Sequence, residues 1–180
     1  MKKYLIIIIT AIVLLTSLSA HAADRNRNAN FFLTLNRAFI EGFNFKDEST
    51  GLKLGTGYRF SDYAGFEVFY VFYGEISDAE LLGDIYEFKS SALVVNAIVT
   101  LPIHPLFDLY VKAGIAEWDA KLENTDDATI SSSADGTDPI YTLGFGYNID
   151  HDSTIRFEYE YADYDDTEYN VISFGFQHNF

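Results

Sequence analysis

Residues 107 to 118 read FDLYVKAGIAEW, and their character changes at every second position. Phe107, Leu109, Val111, Ala113 and Ile115 share one parity, while Asp108, Tyr110, Lys112, Gly114 and Ala116 hold the other. A repeat of two belongs to a strand, whose side chains point alternately to opposite faces; a helix would repeat at about 3.6. The same pattern extends in both directions. Leu52, Leu54, Tyr58 and Phe60 alternate with Gly51, Lys53, Gly55, Gly57 and Arg59. Tyr141, Leu143, Phe145, Tyr147 and Ile149 alternate with Thr142, Gly144, Gly146 and Asn148. Ile155, Phe157, Tyr159 and Tyr161 stand opposite Arg156, Glu158 and Glu160, and Ile172, Phe174, Phe176 and Phe180 stand opposite Ser173, Gly175, Gln177 and Asn179. Three less regular stretches, 31 to 40, 66 to 73 and 91 to 101, bring the expected strand count to eight. The last two also carry Phe69, Val71, Val94 and Ile98 on the opposite parity.

The connections alternate in length. Ser61 to Ala64, Pro102 to Leu106 and Asp150 to Ser153 are short, whereas 41 to 50, 74 to 90, 117 to 139 and 162 to 170 are long. Tight turns at one end and long loops at the other are the pattern of an up-and-down transmembrane barrel. A soluble lipocalin-like barrel is the rival, and side-chain volume decides between them. Eight strands enclose an interior only just wide enough for their own side chains. The parity filled with Phe, Tyr, Leu and Ile is therefore expected to face lipid, and the parity of Gly, Thr, Asn and single charges to face inward. Tyr58, Phe60, Phe66, Phe107, Tyr147 and Phe180 fall beside the short turns, where an aromatic girdle meets the bilayer interface. A packed β-sandwich is the third reading. The expected fold class is all-β: an eight-stranded antiparallel up-and-down transmembrane β-barrel over residues 29–180.

Composition narrows the function. The 180 residues carry 12 Lys+Arg against 27 Asp+Glu, a formal charge of −15, so there is no basic field for nucleic acid. Without cysteine there are no disulfides, thiolate nucleophiles or lipoprotein anchor. Lys2 and Lys3, the apolar run Leu5 to Leu15 and the small-residue close Ala20-His21-Ala22 read as a signal peptide over 1–22. That run is shorter than the roughly 20 residues of a spanning helix. Removing it takes two lysines, moves the charge from −15 to −17, and leaves residues 23–28 as a short periplasmic segment.

Four phrases carry a family resemblance: GLKLGTGYRFSDYAGFEVFYVFYG (51 to 74), LPIHPLFDLYVKAGIAEWDA (101 to 120), IRFEYEYAD (155 to 163) and VISFGFQHNF (171 to 180). They resemble the transmembrane domain of the OmpA family and its single-barrel relatives. The resemblance implies an outer-membrane barrel of a Gram-negative bacterium with both termini in the periplasm. It also implies that Phe180 is a terminal signal read by the barrel-assembly machinery, and that the second, peptidoglycan-binding domain of OmpA is not to be expected.

Lys53, Arg59, Glu67, Lys112, Arg156, Glu158 and Glu160 lie on the inward parity, where a charge must be paired or hydrated. Glu67, Lys112, Arg156 and Glu158 match inward acid and base positions of the OmpA-like family, whose ion pairs plug the lumen. The sixth strand offers only Thr142, Gly144, Gly146 and Asn148, so an acid expected there is missing. The long-loop end gathers many acids, among them Asp163, Asp165 and Asp166. They lack a full calcium-loop spacing and read as solvated loops that attract cations. His104, His151 and His178 map to the short-turn end, far from Ser131 to Ser133, so no nucleophile and base come together. Ser131, Ser132, Ser133, Gly136 and Pro139 read as a loop linker. The paired glycines precede no helix and bind no nucleotide.

The chain is therefore expected to be a non-enzymatic structural or surface-interaction barrel, its narrow lumen closed by ion pairs. Its expected partners are outer-membrane lipid, lipopolysaccharide and the assembly machinery, and it is expected to be a monomer with no cofactor or metal. A small cation-preferring pore and a loop-mediated adhesin are the alternatives.

Overall fold

The computed structural model describes residues 28–42, 45–81, 84–124, 131–165 and 167–180. Residues 1–22, expected to be a signal peptide, and residues 23–27 lie outside them. Eight strands follow one another: β1 Ala29–Gly42, β2 Phe45–Arg59, β3 Ala64–Leu81, β4 Asp84–His104, β5 Phe107–Asn124, β6 Ser131–Asn148, β7 Ser153–Tyr164 and β8 Thr167–Asn179. Each pairs antiparallel with the next, and β8 returns to β1 from Asn30↔Asn179 to Glu41↔Glu168, so the sheet closes on itself. Closure satisfies the backbone within the sheet and leaves no edge in the hydrocarbon. The Phe180 amide finishes the seam with a 2.8 Å bond to the Ala29 carbonyl.

Parity divides the wall as the alternation dictates. Leu109, Val111 and Ile115 are exposed on β5, while Tyr110, Lys112 and Ala116 are buried inside. Leu143, Phe157, Ile172 and Phe174 continue the outward belt on β6 to β8. At the turn end Tyr58 packs on Phe66 with ring centroids 5.8 Å apart, and Phe107 lies 5.3 Å from Tyr147, part of the aromatic girdle.

Two expectations are corrected. The four long connections are mostly strand. β3 and β4 stay paired as far as Leu81↔Asp84, and β5 and β6 as far as Glu123↔Ser131. The supposed linker residues Ser131, Ser132, Ser133, Gly136 and Pro139 all belong to β6. The alternation persists there with its polarity exchanged. On β5 the outward positions become Glu117, Asp119 and Lys121, and the inward ones Ala116, Trp118 and Ala120. Up to Ile115 the outward face is apolar, as suits a wall against lipid; beyond it the outward face is charged, as suits a wall against water.

The second correction concerns the interior. The interior is not uniformly polar and does hold large rings: Phe32, Phe69, Tyr73, Tyr110, Trp118, Tyr164 and Tyr169 are all buried inside the barrel. Small residues opposite make room. A Cβ on Gly144 would lie 2.0 Å from the Tyr110 ring, and one on Gly136 would lie 2.7 Å from the Trp118 indole.

Above the closed part the wall divides. Pairing of β2 with β3 ends at Leu52↔Phe72, where a bulge follows and Gly74 takes a φ of 106° that side chains rarely adopt. Pairing of β6 with β7 reaches only Ile140↔Ala162. Among the described residues no strand pairs with the β7 side of Ser131–Pro139, so β3 to β6 stand up as a four-stranded sheet with a free edge. Pro139 sits at the foot of that edge, where a missing N–H costs no ladder bond.

Candidate functional site

The lumen holds two layers. In the lower one, Arg156 on β7 is the hub. Its Nη2 lies 3.1 Å from Glu67 on β3, its Nε donates to Glu158 Oε1 at 3.1 Å, and its Nη1 donates to Gln177 Oε1 on β8 at 2.9 Å. Lys112 on β5 bridges Glu67 at 2.6 Å and Glu158 at 2.7 Å. Lys53 on β2 reaches Glu158 at 3.2 Å and Glu160 at 2.7 Å. Three cations thus meet three carboxylates, from strands on opposite sides of the barrel, all with nearly fully buried side chains. Balanced charge and multiple contacts are what make such burial tolerable.

Aromatic faces complete the cage. The Arg156 guanidinium lies 4.2 Å from the Phe32 ring centre and the Lys53 ammonium 4.7 Å from that of Phe69, a favourable use of the ring quadrupole. Tyr110 donates its hydroxyl to Glu158 Oε1 at 2.9 Å while its ring lies over Gly144. That contact explains the departure on the sixth strand, where glycine admits a tyrosine from β5. Tyr110 and Gln177 are members that charge alone does not reveal, although both sit on the inward parity.

Of the seven inward charges singled out in the sequence, the structure brings six together and leaves Arg59 apart. Arg59 ends β2 half-exposed at the turn-end mouth and makes no ion pair among the described residues. It borders a bowl of about 230 Å³ lined by Asp108, Asn148, Asp150, His151 and Gln177. The Asp108 carboxylate there accepts from Asn148 at 2.9 Å.

The upper layer is apolar. Tyr73, Tyr164 and Tyr169 pack with ring centroids 4.8 to 6.1 Å apart, and the Trp118 indole stacks on Tyr164 at 5.5 Å. Ile40, Ala116, Ile140, Ala162 and Val171 surround them. The polar tips are paired. Tyr73 and Tyr164 share a 2.8 Å hydroxyl bond, and Trp118 Nε1 donates to Asp138 Oδ2 at 2.6 Å.

Outside, the extended end is acidic. Glu117, Asp119, Asp135, Asp163 and Glu168 are exposed, and Asp119 stands directly opposite Asp135 across β5 and β6. On β4, Lys89 pairs with Glu87 and, at 3.3 Å, with Glu75; its ammonium holds the Glu87 carboxyl below the usual carboxylate range. Asp163 and Asp165 flank the β7 to β8 turn, Asp165 with a φ of 49°, while Asp166 lies outside the described residues. Among the described residues no group of three or more His, Cys, Asp or Glu is arranged to hold a metal ion. His104, His151 and His178 lie at the turn end, and Ser131, Ser132 and Ser133 at the other.

Solved structures with this architecture include the following three. Ail, the attachment invasion locus protein of Yersinia pestis, solved with the heparin analogue sucrose octasulfate, aligns at a TM-score of 0.64 and 18% identity over 85% of this chain and 99% of its own. Neisserial surface protein A aligns at 0.69 and 14% identity over 84% and 97%. The N-terminal β-barrel domain of Pseudomonas aeruginosa OprF aligns at 0.56 and 16% identity over 83% and 97%. At these identities the likeness is one of fold. No curated protein sequence matches the chain. The family model for the outer membrane protein β-barrel domain matches residues 10–180. With its closed eight-stranded wall and lipid-facing apolar belt, the chain belongs to the outer membrane protein β-barrel domain family and resides in the outer membrane of a Gram-negative bacterium.

Proposed function

We propose that the protein is a non-enzymatic barrel that anchors an interaction surface, its lumen closed by its own side chains. The observation that carries this reading is the balanced set of Lys53, Lys112 and Arg156 with Glu67, Glu158 and Glu160 across the narrow lumen. A permanently open pore would hold those charges apart; here they meet one another and occupy the lumen. In this reading the turn end faces the periplasm, residues 1–22 are removed by signal peptidase, and 23–28 begin the mature chain on the periplasmic side. Phe180, exposed at the turn end, is the residue read by the assembly machinery. The outward aromatics meet lipid and lipopolysaccharide, and the chain works as a monomer without cofactor or metal.

The surface for interaction is the upstanding β3 to β6 sheet. A free strand edge offers unpaired N–H and C=O groups that an extended partner segment can extend. The acids Glu117, Asp119 and Asp135 on the outward face of that sheet favour a basic partner over a polyanion such as the one bound to Ail.

Two measurements test the reading. Purified protein in a planar bilayer is expected to give no steady single-channel steps; steady cation-selective steps would establish the small-pore reading instead. Cells displaying a variant whose β5 and β6 are trimmed at Asp119↔Asp135 are expected to lose binding of host cells and serum proteins that wild-type cells show. Equal binding by both would place the surface elsewhere, and no binding by wild type would remove the interaction role.

A further inference from the structure

Resting on the closed-lumen reading, we propose that the barrier to ions is the aromatic layer of Tyr73, Trp118, Tyr164 and Tyr169, a hydrophobic gate, and that the ion-pair layer below is a structural brace. The two layers offer a permeating ion opposite environments. Around the charges, Thr34 Oγ1, Ser173 Oγ, Glu160 Oε1 and both amide atoms of Asn96 are buried with no protein partner among the described residues. Buried polar atoms of this kind are served by water. A layer furnished with such groups can hydrate a small ion as it moves from carboxylate to carboxylate. Ion pairs in that setting exchange partners, since Glu158 already serves Lys53, Lys112 and Arg156 at once.

The aromatic layer gives an ion far less to hold: Ser90 Oγ, beside Tyr169, is buried there without a hydrogen-bond partner among the described residues, but the rings themselves carry no charge. Four rings from β3, β5, β7 and β8 meet at the axis, and Ile40, Ile140 and Val171 fill the spaces between them and the wall. The Tyr73 and Tyr164 hydroxyls are bonded to each other, and the Trp118 N–H is bonded to Asp138. A constriction lined in this way excludes ions by dewetting, without any charge of its own.

The test compares one lesion in each layer by planar-bilayer conductance, using only protein that migrates as a folded barrel before boiling. Trp118→Ala with Tyr169→Ala opens the upper layer. Glu67→Gln with Lys112→Met removes one charge of each sign from the lower layer and leaves it balanced. The aromatic variant is expected to give steady single-channel steps, while the charge variant stays as silent as wild type. Tyr169→Ser, a single smaller lesion, is expected to move the same way and stands in should the double variant not fold; Tyr169→Phe is expected to remain shut. Conduction by the charge variant, or silence of both Tyr169→Ser and the aromatic double variant, would overturn the gate. Conduction by wild type would instead overturn the closed-lumen reading on which the gate rests.

Discussion

The membrane half and the extended half of this barrel use one strand pattern in two opposite senses. On β7, Phe157 and Tyr159 face out and Arg156 and Glu158 face in; a turn higher Asp163 faces out and Ala162 and Tyr164 face in. On β8 the inward series runs from Gln177 and Ser173 to Val171 and Tyr169. On these two strands the direction in which each side chain points does not slip, because one residue of slip would turn every later side chain to the other face, as the bulge after Phe72 does on β3. What changes is the solvent. A wall bathed in lipid places its polar groups inside, where they must find one another; a wall bathed in water buries its rings and shows its acids. The molecule is thus an inverted barrel continuous with an ordinary one, and each half brings its own form of cohesion.

The comparison predicts different responses to damage. The largest effect belongs to the membrane half: Arg156→Ala removes one of three cations from a closed space that holds three carboxylates. The carboxylates then share only Lys53 and Lys112, and the unfolding free energy in detergent is expected to fall by about 3 to 5 kcal/mol. Adding Glu158→Ala should return part of that loss, and a double-mutant cycle that proves additive would break the network account. Trp118→Ala, in the extended half, is expected to cost about 3 kcal/mol through the cavity it leaves. Here the two halves should separate: hydrogen exchange is expected to rise around Tyr73, Tyr164 and Tyr169 while β5 below Ile115 stays protected. Val111→Arg, outward in the lipid belt, is expected to cost about 2 to 4 kcal/mol, whereas Asp119→Arg on the same face of the same strand should leave the midpoint unmoved. Gly144→Ala forces the Tyr110 ring aside and is expected to cost about 1 to 3 kcal/mol. Smallest of all is Lys89→Gln, whose pairs with Glu75 and Glu87 are partly exposed at the surface.

The same contrast explains what the amino-acid sequence discloses. Strand count, barrel class and the facing of Leu109 or Lys112 are legible because, in the membrane half, outward means apolar throughout. Six of the seven inward charges could be named from parity alone. Their pairing could not, since which carboxylate meets which cation depends on shear and on the distance across the lumen. The seventh, Arg59, has the same parity but stands half-exposed at the mouth, away from the buried charges. Tyr110 and Gln177 escape notice because a neutral side chain gives no alarm on a mixed face. The extended half reads as loop for a physical reason: in WDAKLEN, residues 118 to 124, the alternation continues with its sign reversed. Ser, Asp, Gly and Pro in residues 131 to 139 reinforce that impression, although an exposed edge strand tolerates all four.

The central claim is the reversal of polarity along a single strand, and it can be measured directly on β5. With the protein in a lipid nanodisc, paramagnetic broadening of methyl and amide signals by a lipid-soluble agent is compared, residue by residue, with broadening by a water-soluble one. The account predicts that Leu109, Val111 and Ile115 respond to the lipid agent, that Glu117, Asp119 and Lys121 respond to the aqueous one, and that Trp118 responds to neither. Lipid contact persisting to Lys121, or aqueous broadening of Trp118 as strong as that of Asp119, would contradict it.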